Sequence, residues 1–157
     1  MVDIRELLKY NEAVRHSYLD CLAKLSWNEF TKNREASFHS MRNIFVHTMR
    51  AIDFWLDFLQ EEQLMSNREF NDYTTFHEVK AYMEQVEKRM ENYLNSAPSG
   101  SFTKTYIAAD DNGKTVTVTA EDVLIHLFEE EIHHRGELIA LLWQMNVEPP
   151  VMSWKGL

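Results

Sequence analysis

Apolar residues recur at helical spacing in four long stretches of this chain, and this pattern limits the fold more than any other feature. The first stretch runs from Asp3 to about Leu25, and the last begins at the capping pair Thr119 and Asp122 and reaches about Met145. Only four Gly and three Pro occur in 157 residues, so few positions interrupt a helix. Because each helix has one apolar stripe to bury, the sequence predicts an all-α four-helix bundle in a single domain, residues 1–157.

Two further helices are predicted between these ends. The polar connector SWNEFTKNREAS precedes the second, whose apolar side is formed by Met41, Ile44, Phe45, Thr48, Ile52, Trp55 and Leu59. Thr75 and Glu78 have capping-box spacing and open the third, whose core face is formed by Val79, Met83, Val86, Met90 and Leu94. In the fourth helix, Gly136 is expected beside a close helix crossing, and Pro149 and Pro150 are expected to stop the helix.

The segment between the third and fourth helices has a different pattern. Aromatic and β-branched residues flank the sequence DDNG, which predicts a β-hairpin between Ser101 and Val118 with its turn at Asn112 and Gly113. The acidic residues of DDNG do not occupy the alternating positions of a calcium loop, so a turn is favoured over a calcium site. We expect the hairpin to pack at one end of the bundle.

Charge and composition exclude several classes of partner. A formal net charge of −9, with 16 Lys and Arg spread along the chain, disfavours binding to nucleic acid. No apolar run approaches the roughly 20 residues of a membrane-spanning helix. Cys21 is the only cysteine and is expected in the core, and the charged start MVDIRELLK lacks the apolar segment of a signal peptide. We therefore expect a cytoplasmic protein that binds neither nucleic acid nor membrane.

The fourth predicted helix places two polar residues among side chains that should face the core. Glu130 and His134 are four residues apart, so they stand one above the other on one helix face. The same sector contains the apolar residues Val123, Leu127, Leu138, Leu141 and Met145. Burying a carboxylate is costly without a partner, so something must satisfy Glu130.

Two interpretations account for this pair. In the first, Glu130 forms a buried ion pair with an Arg or Lys of a neighbouring helix, or with His134, and has no chemical role. In the second, Glu130 and His134 bind a divalent metal with one ligand from another helix, which leaves a coordination position open, as at reactive zinc sites. His47 is the best third ligand, because it borders the core face of the second helix near its middle.

The other histidines are expected outside this ligand set. Three are interpreted as surface or helix-end residues: His16, His39 and His77. His126 and His133 lie at the edge of the apolar sector next to Glu137, where they would face solvent or an interface, or orient a metal ligand.

Three parts of the sequence combine into a recognisable pattern. They are SFHSMRNIFVHTMRAIDFWL with its mid-helix histidine, the hairpin segment, and HLFEEEIHHRGELIALLWQMNVEPP with its HHRG sequence and trailing PP. Together they resemble the DinB family of metal-binding four-helix bundles, which is related to YfiT-like metalloenzymes. The resemblance covers essentially the whole chain, including the order of the elements.

The resemblance implies a metal site. In that family a divalent metal, commonly zinc or nickel, is held by one histidine of the second helix and two histidines spaced i, i+4 on the last. His47 matches the first of these and His134 the last, while Glu130 stands where the family usually has His and Glu137 where it often has Gln. Two His with one Glu form a known catalytic zinc set. Zinc is therefore the first expectation, followed by nickel, iron and manganese.

The resemblance also implies a function. Relatives of this fold include thiol S-transferases and isomerases that use bacillithiol or mycothiol. We therefore expect a metal-dependent enzyme that transfers a low-molecular-weight thiol to a small electrophile, or a related hydrolase. The alternatives are a metal-binding, stress-related protein without turnover and a bundle whose polar pair is structural and which associates with another protein. A homodimer is expected, because Phe102, Tyr106 and Trp154 would supply exposed aromatic surface.

Overall fold

Four long α-helices and one short helix make up the computed structural model, which describes residues 3–62, 68–97, 101–110 and 112–156. The helices are α1 (Ile4–Leu22), α2 (Trp27–Thr31), α3 (Met41–Gln60), α4 (Phe76–Ser96) and α5 (Ala120–Gln144). Strands β1 (Thr105–Ala109) and β2 (Thr115–Thr119) form an antiparallel pair between α4 and α5. Within these ranges no helix is both long and apolar enough to cross a membrane. The predicted bundle with a small hairpin is confirmed.

The four long helices surround one apolar core. Helix α3 packs on both α4 and α5, α1 packs on α5, and α1 and α4 make less contact with each other. The predicted core face of α4 is buried along its whole length, at Val79, Met83, Val86, Met90 and Leu94. Burying one such side chain contributes about 1.5–3 kcal/mol. The apolar stripes therefore fix which face of each helix points inward.

Side-chain caps fix where the helices begin. Thr119 Oγ1 accepts a hydrogen bond from the Asp122 amide at 3.1 Å, and Asp122 Oδ2 accepts one from the Thr119 amide at 2.7 Å. Thr75 and Glu78 form the same reciprocal pair at the start of α4. Both predicted capping boxes are therefore present, and each satisfies amides that the first helical turn leaves without partners.

Helix α5 ends within one residue of the predicted position, but its end has a different cause from the predicted one. The helix stops at Gln144, before it reaches Pro149 and Pro150. Asn146 adopts a left-handed conformation with φ of 56°, and the Val147 amide donates to the Leu142 carbonyl at 3.0 Å. This is the pattern of a helix that is closed by a left-handed residue. Asn146, one of the residues that tolerate this conformation, ends the helix.

The connector between α1 and α3 contains the short helix α2, which the polar sequence did not predict. Ser26 caps it by accepting from the Glu29 amide at 3.2 Å. Phe30 is fully buried and stacks on Phe76 of α4, with ring centroids 4.6 Å apart. Trp27 also meets Phe76 edge to face, with ring centroids 5.2 Å apart, so two aromatic side chains of α2 pack the connector against α4.

The hairpin packs against the C-terminal end of α3. Tyr106 donates its hydroxyl to the Leu59 carbonyl at 2.9 Å, and Lys104 pairs with Glu61 at 3.0 Å. At the turn, Asp110 Oδ1 accepts from the amides of Asn112 and Lys114, and Gly113 has φ of 75°. Asp111 of the predicted turn lies outside the described residues. The Asp110 carboxylate stabilises the turn, in agreement with a hairpin there.

The aromatic residues that motivated the homodimer prediction are largely packed within the chain. Phe102 is 9% exposed, and Tyr106 is half-buried against α3. Trp154 is half-buried and meets Tyr10 edge to face, with ring centroids 5.3 Å apart. These three residues therefore do not form an exposed aromatic surface.

Gly136 is not at a close helix crossing, so that expectation is wrong. A Cβ added there would have no atom of another residue within 4 Å, apart from the neighbours in its own helix. Because Gly in an exposed helix costs about 1 kcal/mol relative to Ala, we expect Gly136→Ala to raise the free energy of unfolding by about 0.5–1 kcal/mol. Urea denaturation at low protein concentration measures this change.

Ala140, exposed one turn further along α5, is the matched control. Ala140→Gly should lower stability by a similar amount. Loss of stability in Gly136→Ala would mean that a Cβ at this position meets a neighbour after all.

Candidate metal centre

Three side chains from two helices converge on one side of the bundle. His47 of α3 and His134 of α5 both direct Nε2 at Oε1 of Glu130, at 2.9 and 3.0 Å. One ligand atom from each residue lies within 4.8 Å of the other two. The structure therefore brings together the three side chains that the sequence singled out as ligands.

Among the described residues, the partners of Glu130 exclude one form of the first interpretation, an ion pair with an Arg or Lys, and leave the pairing with His134 and the metal site as explanations. In the described part of the chain, no Arg or Lys pairs with Glu130, and its hydrogen bonds are to the two imidazoles. His134 is 7% exposed, whereas Glu130 is 26% and His47 25% exposed. The cluster therefore has one buried member and two that a small molecule can reach from solvent.

A second carboxylate fixes the orientation of His134. His134 Nδ1 is 2.6 Å from Oε2 of Glu137, and the same oxygen accepts the Ser37 hydroxyl at 2.8 Å. An imidazole that donates Nδ1–H to a carboxylate is the usual arrangement behind a histidine metal ligand. Sequence analysis did not assign Glu137 this contact, although its i, i+3 spacing from His134 is the signal for it.

The donor set fits a divalent cation. When neutral His134 donates Nδ1–H to Glu137, its Nε2 lone pair points at Oε1 of Glu130 across 3.0 Å. Two electron-rich atoms at this distance repel each other unless a proton or a cation lies between them. Two imidazole nitrogens and one carboxylate oxygen are competent zinc ligands and leave room for a further ligand.

Electrostatics favour the ligating forms of these side chains. Burial lowers the pKa of His47 from its ordinary value and outweighs the opposing hydrogen bond to Glu130. Burial alone would raise the pKa of Glu130, but the hydrogen bond from His47 and the interactions with His134 lower it overall. A neutral imidazole and an ionised carboxylate are the forms that bind metal.

An aromatic ring from the loop before α3 covers the site. Phe38 stacks on His47 with ring centroids 3.9 Å apart and an interplanar angle of 21°, and it meets His134 edge to face at 5.3 Å. The loop is held by Asn43, whose Nδ2 donates to the Phe38 carbonyl at 2.9 Å. Because Ser37 contacts Glu137 from the same loop, this segment restrains both histidines.

The other histidines lie outside the three-residue cluster. His126 is exposed and packs against Trp55, with ring centroids 5.5 Å apart. His133 is exposed with its ring 4.9 Å from that of His134, and it forms a second group of close ligand atoms with His134 and Glu137. Of the three residues considered, it is Glu137, not His126 or His133, that hydrogen-bonds a proposed ligand. His39 and His77 are exposed, as expected, whereas His16 is half-buried in the middle of α1 with its Nε2 2.8 Å from Oε2 of Glu87.

The most deeply buried carboxylate of α5 is Glu131, which sequence analysis missed. Glu131 is 6% exposed and accepts Nε and Nη2 of Arg15 at 2.8 and 2.9 Å. Arg15 Nη1 also donates to Glu87 at 2.7 Å, and Arg135 donates to Asn11 at 2.9 Å. This buried network joins α1, α4 and α5 and is separate from the His47 cluster.

Comparison with known proteins places the chain in a family. The sequence model described as the DinB family matches residues 1–155. The chain belongs to the DinB family. It is 22% identical over 151 residues to the uncharacterized protein YizA of Bacillus subtilis (strain 168), covering 96% of this chain and 93% of that protein. The crystal structure of YjoA, a DinB-like protein from Bacillus subtilis, shares the fold with a TM-score of 0.69 at 18% identity, covering 95% of this chain and 98% of the other.

A variant of Glu137 tests whether its hydrogen bond to His134 contributes to metal binding at this candidate site. Glu137→Gln keeps the shape of the side chain but weakens the hydrogen bond that orients His134. We expect zinc affinity to fall about 10–100-fold, the usual cost of losing a partner behind a metal ligand. Competition with a chromophoric chelator measures the affinity.

Glu129, exposed on the same helix, provides the matched control. Glu129→Gln should leave zinc affinity close to that of the natural chain. Equal affinities of Glu137→Gln and Glu129→Gln would show that Glu137 has no part in metal binding.

Proposed function

We propose that this protein is a metal-dependent enzyme that transfers a low-molecular-weight thiol to a small electrophile, or carries out a related metal-dependent hydrolysis. The observation that supports it is the convergence of His47, Glu130 and His134 at a half-exposed position with three donor atoms. A divalent cation with an open position lowers the pKa of a bound thiol or water and so supplies a nucleophile at neutral pH.

The residues of the chain have distinct roles in this proposal. Glu130 contributes a negative charge that partly neutralises the cation, and Glu137 holds the His134 ring in its binding orientation. Phe38 shields one face of His47 from water. Zinc remains the first choice for this donor set, with nickel, iron or manganese behind it, since a carboxylate also suits harder metals.

The thiol has to come from a second molecule. Burial raises the pKa of the Cys21 thiol, so this side chain is a poor nucleophile at neutral pH. Its sulfur lies 3.9 Å from the Glu148 carbonyl near the end of the chain, and Cys21 does not belong to the ligand cluster. A small cellular thiol such as bacillithiol or mycothiol is the proposed cosubstrate, and the cytoplasm is the proposed location.

The experiment uses monochlorobimane as electrophile and bacillithiol as thiol. The thiolate displaces chloride, forms a carbon–sulfur bond and gives a fluorescent adduct. We expect the metal-free protein to be inactive, zinc or another divalent metal to restore activity, and His134→Ala to remain inactive. In the contrary outcome the protein binds the metal and still neither transfers the thiol nor cleaves an ester substrate of the related hydrolysis. That result would reject the enzyme and favour the second candidate, a metal-binding protein without turnover.

We also propose a homodimer that forms through the exposed face of α5. From Ile132 to Gln144 the exposed positions of this helix carry no carboxylate, ammonium or guanidinium group, and Trp143 is 57% exposed. Two copies with a net charge of −9 each repel one another, so they associate most easily over an uncharged surface. A second copy therefore suits this face.

Light scattering tests this association. We expect a dimer mass at micromolar concentration for the natural chain and a monomer mass for Trp143→Glu, because the new charge would be buried without a partner. Ile107→Glu, on the hairpin at a side chain that is 74% exposed, is the control and should leave the dimer intact. A monomer mass for the natural chain would reject the proposal.

A further inference from the structure

A cavity of about 570 Å³ opens between α1 and α4, the two neighbouring long helices with the least mutual contact. Ile52 of α3 and Leu127 of α5 form part of its floor, so it reaches the centre of the bundle. None of the three residues of the metal cluster lines it. The cavity is therefore separate from the site of the proposed function.

One end of the cavity has two carboxylates close together. Glu87 accepts Nη1 of Arg15 at 2.7 Å, and its second oxygen is 2.8 Å from Nε2 of His16. Glu12 lies beside them, and one ligand atom each of Glu12, His16 and Glu87 falls within 4.8 Å of the others. Among the described residues no side chain donates a hydrogen bond to Glu12 or forms an ion pair with it.

The charges around this end do not balance. Five carboxylates and four cationic side chains line the cavity, which leaves its lining with a net negative charge: Glu12, Glu84, Glu87, Glu91 and Glu131 against Arg5, Lys9, Arg15 and Lys88. Burial and the neighbouring Glu87 raise the pKa of Glu12 by more than Arg15 and His16 lower it. A carboxylate in this position is stabilised by an additional cation and destabilised by an anion.

The rest of the cavity is suited to an apolar chain. Leu8, Met90 and Leu94 line it between the carboxylates and Arg5. Arg5 and Glu12 are seven residues apart and so lie about 10 Å from each other along α1, at 1.5 Å per residue. This length and lining match an alkyl chain of about six carbon atoms better than a bare metal ion, which would leave the apolar part unfilled.

We propose that this cavity binds a small organic ammonium ion with an apolar chain. The ammonium group lies between Glu12 and Glu87, and the chain runs along Leu8, Met90 and Leu94. An ammonium nitrogen at ordinary hydrogen-bond distance reaches both carboxylates, since their ligand atoms are within 4.8 Å. A dication is disfavoured there, because the Arg15 guanidinium already contacts Glu87.

Calorimetric titration of the 157-residue chain with hexylammonium, 1-hexanol and hexanoate at neutral pH tests the proposal. The three probes share an alkyl chain and differ in charge. We expect hexylammonium to bind with a dissociation constant of about 1 mM or lower. Hexanol should bind at least about tenfold more weakly, and hexanoate more weakly still. Equal affinity for hexylammonium and hexanol, or no hexylammonium binding up to about 10 mM, would overturn the proposal.

Variants test whether hexylammonium binds at the end of the cavity that contains Glu12 and Glu87. Glu12→Gln should weaken hexylammonium binding at least about tenfold and leave hexanol binding unchanged. Glu6→Gln, an exposed change on the same helix, should have no effect. His134→Ala should retain hexylammonium binding, which separates this site from the metal centre. Zinc binding that survives His134→Ala and disappears in Glu12→Gln would assign the carboxylates to a metal and reject the ammonium site.

Discussion

His134→Ala is expected to abolish stable metal binding, with a loss of at least about 100-fold in zinc affinity. This estimate exceeds the 10–100-fold cost of losing a partner behind a ligand, because the proposed ligand itself is removed. Glu137 acts on the proposed metal site through its hydrogen bond to His134. His134→Ala therefore removes both the proposed ligand and the contact that orients it. Metal analysis after dialysis and chelator competition together measure stoichiometry and affinity.

The control for this variant is another histidine on the same helix. His126 is exposed, packs against Trp55 and belongs to none of the groups of close ligand atoms among the described residues. His126→Ala should bind zinc as the natural chain does. Circular dichroism checks that both variants keep their helices. Full zinc affinity in a folded His134→Ala protein would contradict the ligand assignment and remove the basis of the proposed function.

The helices of the bundle could be predicted because the residues that specify them are close together in the sequence. The apolar stripe of α4 and the capping boxes at Thr75 and Thr119 lie within a few residues of the features they specify. The end of α1, which is at Leu22 and not at about Leu25, and the conformation that ends α5 were harder to predict, because several stopping conformations are available to one sequence. Asn146 ends α5 through a left-handed backbone, a signal weaker in the sequence than the prolines that follow.

The ligand cluster could be predicted in part. Spacing alone places Glu130 and His134 on one face, and His47 follows from its position beside the core face of α3. Glu137 was missed as the partner of His134 although their i, i+3 spacing is local, whereas Ser37, which donates to Glu137, is 100 positions away and has no local signal. Helical spacing describes one helix at a time and cannot show which loop lies above it.

Glu131 and Arg135 show a second limit of helical periodicity. Helical periodicity predicts one buried side for each helix. Helix α5 packs on both α1 and α3, so a wider part of its circumference is buried. Glu131 faces α1 and Glu130 faces α3, although the two residues are adjacent. The charged partner that makes burial of Glu131 tolerable, Arg15, is on the first helix and has no local signal.

Arg15→Met is expected to destabilise the protein by about 3–5 kcal/mol, the cost of breaking a buried ion pair. Arg15 is 7% exposed and donates three hydrogen bonds to the carboxylates of Glu131 and Glu87. Both carboxylates raise the pKa of Arg15 despite the opposing effect of burial, so it stays charged. Met fills similar space and leaves buried negative charge without its partner. The melting temperature should fall by about 10 °C.

A second change and a surface control separate charge from packing. Adding Glu131→Gln to Arg15→Met removes one of the unpaired carboxylates, so the double variant should regain part of the lost stability. Arg5→Met on the same helix removes an arginine that is 36% exposed, and it should cost less than about 1 kcal/mol. If Arg15→Met costs no more than Arg5→Met, the buried network does not hold α1 against α4 and α5. If the double variant is no more stable than Arg15→Met, the loss comes from packing around residue 15 rather than from the stranded charge of Glu131.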